Sequence, residues 1–117
     1  MEIKQKPLLP SLKEKKRYIV FEIFNGENLS FSNVKDSIIQ SYKSLFGEIG
    51  LAHSGIDFIE YKNQKGILKV GTKNINNIKA SFCFIRKINK QDVTVRSLGI
   101  SGILNKARSK FISGGGL

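Results

Sequence analysis

Apolar positions in this chain recur with two different spacings, and the switch between them marks out the elements. Residues 17–24, "RYIVFEIF", are aromatic or β-branched at almost every position. In an extended segment Ile19, Phe21 and Ile23 share one face, and Tyr18, Val20 and Phe24 share the other. Apolar residues on both faces predict a central strand. The phenylalanines Phe21 and Phe24 are expected in the core. After the turn "NGEN", residues 32–47 place Val34, Ile38, Tyr42, Leu45 and Phe46 on one helical face, with Ser32 as N-cap and Gly47 just past the end. Residues 47–55, "GEIGLAHSG", read as a glycine-punctuated loop. "IDFIEYK" and "GILKVGT" then read as two strands joined around "NQKG", a hairpin.

Residues 74–84 carry both signals. "SFCFI" alone suits a strand, but Ile75, Ile78 and Phe82 repeat at helical spacing behind Thr72 or Asn74 as caps, so the segment is predicted helical. A turn at "NKQ" leads to a strand over 92–99. Residues 101–112 form a last helix with Ile103, Leu104, Ala107 and Phe111 in one stripe, followed by a glycine tail. The resulting order predicts an α+β, ferredoxin-like (RRM-like) sandwich: a four-stranded antiparallel sheet, two helices on one face, and a C-terminal helix in addition. First and last strands are neighbours in that plan. Three regions follow: a basic N-terminal arm at 1–16, where Pro7 and Pro10 disfavour a helix; the core at 17–100; and a basic C-terminal helix and glycine tail at 101–117.

Charge changes the picture most. The chain of 117 residues has 20 Lys and Arg against 9 Asp and Glu, a net charge of +11. Residues 1–17 are net +4, residues 18–85 net +1 and residues 86–117 net +6. A polyanion partner explains positive ends on a balanced middle, because each neutralised phosphate releases counterions and adds affinity; solubility alone is the plainer alternative. One Cys and one His, Cys83 and His53, argue against a disulfide, a cysteine-rich metal cluster and a histidine-based triad. No apolar run approaches the ~20 residues of a membrane span, and "MEIKQKPLLPSL" has no apolar h-region, so a soluble, cytoplasmic protein without membrane contact is expected.

Candidate chemistry is correspondingly sparse. RNA-recognition sheets stack bases on aromatics of their two central strands, but "GILKVGT" has none. A base-stacking sheet is therefore not supported, and the terminal helix is free to cover part of it. Glu48, His53 and Asp57 near the glycine loop form no constellation, so no catalytic residue and no metal ligand is assigned. Small phosphatases on a similar plan carry an Arg after the first strand; "NGENLS" has no basic residue.

The RNA-binding candidates are basic. Lys13, Lys15, Lys16 and Arg17 stand where the arm meets a rigid strand, which would fix their charges in space to position an RNA backbone; a solvated charge run is the alternative. Arg96 alternates with Val93 and Val95 and so points to the other sheet face. Lys106, Arg108 and Lys110 flank the apolar stripe of the last helix. Ser101 and Gly102 stand at its N-terminus, where free N–H groups favour an anion, though ordinary capping explains them equally well.

Three stretches in order, "LPSLKEKKRYIVFEI", "LFGEIGLAHSGIDFIEY" and "VTVRSLGISGILNKARSKFI", resemble the ribonuclease P protein component 2 family, archaeal counterparts of a eukaryotic ribonuclease P and MRP subunit. Lys13 stands where the family has Arg, Leu9 replaces a Pro, and Ile103 replaces a Thr. The resemblance implies a ferredoxin-like fold and a subunit supporting the catalytic RNA that removes 5′ leaders from precursor tRNA. It further implies that component 3 is a partner in a heterotetramer, that the protein binds no cofactor itself, and that Mg²⁺ belongs to the RNA active site. The alternative of another class is a free-standing RNA-binding or ribosome-associated domain.

Overall fold

The computed structural model describes residues 15–111, the side chains of Lys110 and Phe111 excepted. Strand β1 (Lys16–Phe24) leads to helix α1 (Phe31–Ala52), the hairpin β2 (Asp57–Lys62) and β3 (Lys65–Gly71), a 3-10 turn (Thr72–Asn74) and helix α2 (Ile75–Phe84). A two-residue-per-strand hairpin, β4 (Lys87–Ile88) and β5 (Gln91–Asp92), precedes β6 (Thr94–Ser101) and helix α3 (Leu104–Phe111). The main sheet is ordered β2-β3-β1-β6, and every pairing in it is antiparallel. This is the ferredoxin-like plan, with β1 central and the first and last long strands adjacent.

Alternation along β1 works as its sequence dictates. Ile19, Phe21 and Ile23 are fully buried and join Val34, Ile38 and Tyr42 of α1 and Ile78 and Phe82 of α2 in the larger core. The Phe21 ring packs 5.5 Å from Phe82 and 6.3 Å from Tyr61. It lies over Gly66, its register partner, where any Cβ would collide with the ring. Tyr61 has a hydroxyl buried among these residues with no hydrogen-bond partner, and burial pushes its phenol pKa up. Val20, on the opposite face, meets Ile67 and Ala107 in a second, smaller core to which Tyr18, Ile59, Leu98 and Leu104 add. Helix α3 therefore lies across the sheet face that α1 and α2 leave open. Phe24 is not core: it is on that same face and 38% exposed.

Several boundaries differ from the sequence expectation for local reasons. The N-cap of α1 is Ser30, not Ser32; its Oγ accepts from the Asn33 N–H at 3.1 Å, which brings Phe31 into the helix. Gly47 takes φ 78° and ψ 174°, a left-handed φ that suits Gly. It kinks α1 instead of ending it, so part of the expected 47–55 loop is helical as far as Ala52. Residues 75–84 are helical throughout. The β2–β3 turn, Asn63 and Gln64, has φ of 54° and 67° at its two residues, the pattern of a two-residue hairpin turn whose twist matches the strands. Asn89 and Lys90 do the same in β4–β5 with 52° and 70°. That hairpin was not expected, and it displaces the last strand from 92–99 to 94–101. No helix among the described residues is long and apolar enough to cross a membrane.

Candidate nucleic-acid interface

Two of the predicted groups do come together. The Lys15 carbonyl accepts from the Thr72 N–H at 2.8 Å and from Thr72 Oγ1 at 2.9 Å, so the chain entering β1 is tied to the end of β3. Lys15 and Lys16 are exposed, and the Lys16 ammonium reaches over Gly55. The Arg17 guanidinium donates to the Lys16 carbonyl at 3.1 Å and lies against Gly102, about 3.6 Å from where a Cβ would stand. Pairing of Tyr18 with Ser101 brings the start of β1 beside the end of β6. Lys15, Lys16, Arg17, Ser101 and Gly102 thus gather at one end of the sheet, with exposed Lys106 on the helix that follows. Lys13 lies outside the described residues, as does the Lys110 side chain.

Three predicted members behave otherwise. Arg108 was expected to be exposed on the rim of the last helix. Its Nε instead donates to Glu60 Oε1 at 2.9 Å, and both side chains are more than half covered. It holds α3 to β2 rather than offering a free charge to phosphate. Arg96 is remote from Arg17. It pairs with Glu22 across the strands, five residues along β1 from Arg17, or ~17 Å at strand rise, and on the opposite sheet face. There its guanidinium stacks over Phe24 at 4.5 Å and sits 3.8 Å from Glu22. Arg96 is therefore not part of the cluster around Arg17. Ser101 belongs to β6, not to a helix N-terminus: its hydroxyl accepts from the Ile103 N–H at 3.0 Å, and the helix starts at Leu104.

Among the described residues no group of three or more His, Cys, Asp and Glu side chains converges to hold a metal. His53 caps the C-terminus of α1, its N–H donating to the Ile49 carbonyl at 3.1 Å. This geometry can bind and position a polyanion.

The sequence pattern of the Rpp14/Pop5 family matches residues 17–112. The chain belongs to this family. The Rpp14/Pop5 match runs from β1 through α3. Curated relatives cover nearly the whole chain. The ribonuclease P protein component 2 of Methanosarcina mazei is 33% identical over 96% of this chain and 97% of its own length. That of Methanocaldococcus jannaschii is 35% identical over 92% of this chain and 80% of its own. That of Thermococcus kodakarensis is 30% identical over 97% and 96%. A chain in a cryo-EM structure of yeast ribonuclease MRP shares the fold, with a TM-score of 0.65 at 13% identity over 79% of this chain and 77% of its own.

One basic region escaped the sequence reading. The middle of the chain is balanced only in sum: from Tyr61 to Gln91 there are eight basic residues and no acid. A count over that narrower window would have found it.

Proposed function

We propose that this protein is a subunit of ribonuclease P that supports the RNA-catalysed removal of 5′ leaders from precursor tRNA. The carrying observation is the near-full-length match to ribonuclease P protein component 2 of Methanosarcina mazei. The chemistry agrees with that role. A protein with a net charge of +11 suits the task of holding an RNA. Mg²⁺ at the cleavage site is then the RNA's to bind, and cleavage is a property of the cytoplasmic holoenzyme. Component 3 is the protein partner in this reading, as a heterotetramer. Lys15, Lys16 and Arg17 contact the RNA backbone, because the Thr72 hydrogen bonds to Lys15 hold their main chain against the sheet and let them fix register rather than merely attract.

Reconstitution tests this. Ribonuclease P RNA, its other protein subunits and precursor tRNA are combined with this chain, without it, or with the Lys15→Ala, Lys16→Ala, Arg17→Ala triple variant. Omission should lower 5′-leader removal strongly, and the triple variant should weaken RNA affinity by ten- to a hundredfold with circular dichroism unchanged. The isolated protein should cut nothing. Cleavage indifferent to the chain would refute the assignment.

A further inference from the structure

We infer that the groove between α1 and the end of α2, with the β4–β5 hairpin beside it, holds a single-stranded segment of RNA: an unpaired base stacks on Phe84 and the flanking phosphates meet Arg86, Lys87 and Lys90. The inference rests on the ribonuclease P reading above and locates a contact that the reading does not supply.

Local structure puts Phe84 in water. Helix α2 ends there because Ile85 turns to extended backbone and buries itself in the core. Phe84, on the other side of that turn, is left 63% exposed. A single exposed apolar side chain means little; what surrounds this one decides the matter. Phe84 shares a groove of about 320 Å³ with Arg86 and Lys87 and with Ser37, Gln40 and Ser44 of α1. The far wall is thus a row of hydroxyl and amide groups, able to hydrogen-bond the edge of a splayed base, while an aromatic face and two cations stand opposite. Aromatic stacking with backbone cations is how single strands are held, and it tolerates sequence because every base has a π-face.

The electrostatics point the same way. Arg86 and Lys90 have no acidic group within ion-pair distance among the described residues. Lys87 pairs with Asp92 at 3.0 Å, but both side chains are mostly exposed, and such a pair yields readily to a phosphate. The left-handed turn at Asn89 and Lys90 presents Lys90 at the tip of the hairpin. Arg86 and Lys87 also line a second groove on their other side, toward Thr94 and Arg96, so the hairpin is a basic ridge that a strand can cross. A protein partner fits less well, because one Phe among charges and hydroxyls lacks the apolar centre of a stable protein interface. The usual aromatic platform of this fold plan, the open sheet face, is occupied by α3.

The probe is a fluorescein-labelled oligouridylate, titrated against the full chain at several salt concentrations. Phe84→Ser should weaken binding by about five- to a hundredfold, and Phe84→Tyr should bind as the unaltered chain does. Arg86→Ala with Lys90→Ala should reduce the salt slope by about two. Thermal melting should hardly move for any of these exposed substitutions. Phe84→Ser and Phe84→Tyr binding equally well would overturn the inference, as would failure of the unaltered chain to bind the probe. Loss of partner-protein association by Phe84→Ser, with oligouridylate binding intact, would overturn it by making the face a protein contact. In the last three cases the subunit reading survives if the chain still stimulates leader removal in the reconstituted enzyme, and falls if it does not.

Discussion

The two faces of the sheet are built to different standards. On one, α1 and α2 enclose a core that includes Ile19, Phe21, Ile23, Val34, Ile38, Tyr42, Leu68, Val70, Ile78 and Phe82. On the other, among the described residues, α3 covers Val20 and Ile67 through Ala107, with half-buried neighbours around them, and is further held by an ion pair to Glu60. The first face carries the fold. The second is a cover, attached at the chain's end, that removes from solvent a surface which related folds use for bases. What is left exposed around that cover is mixed: Lys62, Arg96 and Lys106 beside Phe24 and Ile103.

Substitutions on the two faces should therefore fail in different ways. Phe21→Ala is expected to cost the most, about 3–5 kcal/mol, because the ring bridges Phe82 and Tyr61 above a glycine and nothing nearby can fill the gap; urea unfolding measures it, and a loss under 1 kcal/mol would mean that the two faces are energetically alike. Ala107→Asp should cost less, about 1–3 kcal/mol. A buried unpaired carboxylate is unfavourable, but α3 docks on a small patch and can lift away, which caps the loss at the worth of its docking. Hydrogen exchange should then show faster exchange in α3 and the middle of β1's outer face, with α1 and α2 still protected; uniform loss of protection would break the comparison. Tyr61→Phe should be neutral or stabilising by up to ~1 kcal/mol, since it deletes a buried hydroxyl that has no partner. Burial raises the Tyr61 phenol pKa. Its stabilising contribution is therefore whole below the ordinary tyrosine value of about 10 and is lost as pH rises through the raised one, so Tyr61→Phe should flatten that alkaline decline in denaturant midpoints.

How much of this was legible depended on range. Short-range regularities carried through: the two-sided apolar alternation of β1, the Val34–Ile38–Tyr42 face of α1, and the β2–β3 hairpin around Asn63 and Gln64. Near misses were local ambiguities, as between Ser30 and Ser32, either able to cap a helix flanked by Phe31. Gly47 signals a left-handed residue, but whether the chain stops or kinks there depends on what the next turn packs against. The two-residue strands of β4–β5 are too short for any periodicity to register. At the candidate site, the clustering of Lys15, Lys16 and Arg17 with Gly102 followed from adjacent first and last strands. Arg108 was misread because its partner Glu60 is 48 residues away, a pairing that no local pattern encodes. Arg96 was placed on the correct face, but its distance from Arg17 was not legible, since strand adjacency says nothing about register.

The register of β1 also sets when this protein can exist. Its central strand is paired on one side by β6, with Tyr18 opposite Ser101, roughly eighty residues further along, so the sheet is completed by one of its most distant contacts. During synthesis β1, α1 and the β2–β3 hairpin emerge long before the strand that closes them, and until then one edge of β1 stands unpaired. Completion of the sheet is thus deferred until β6 has been made, and a basic chain repels other copies of itself while that edge waits.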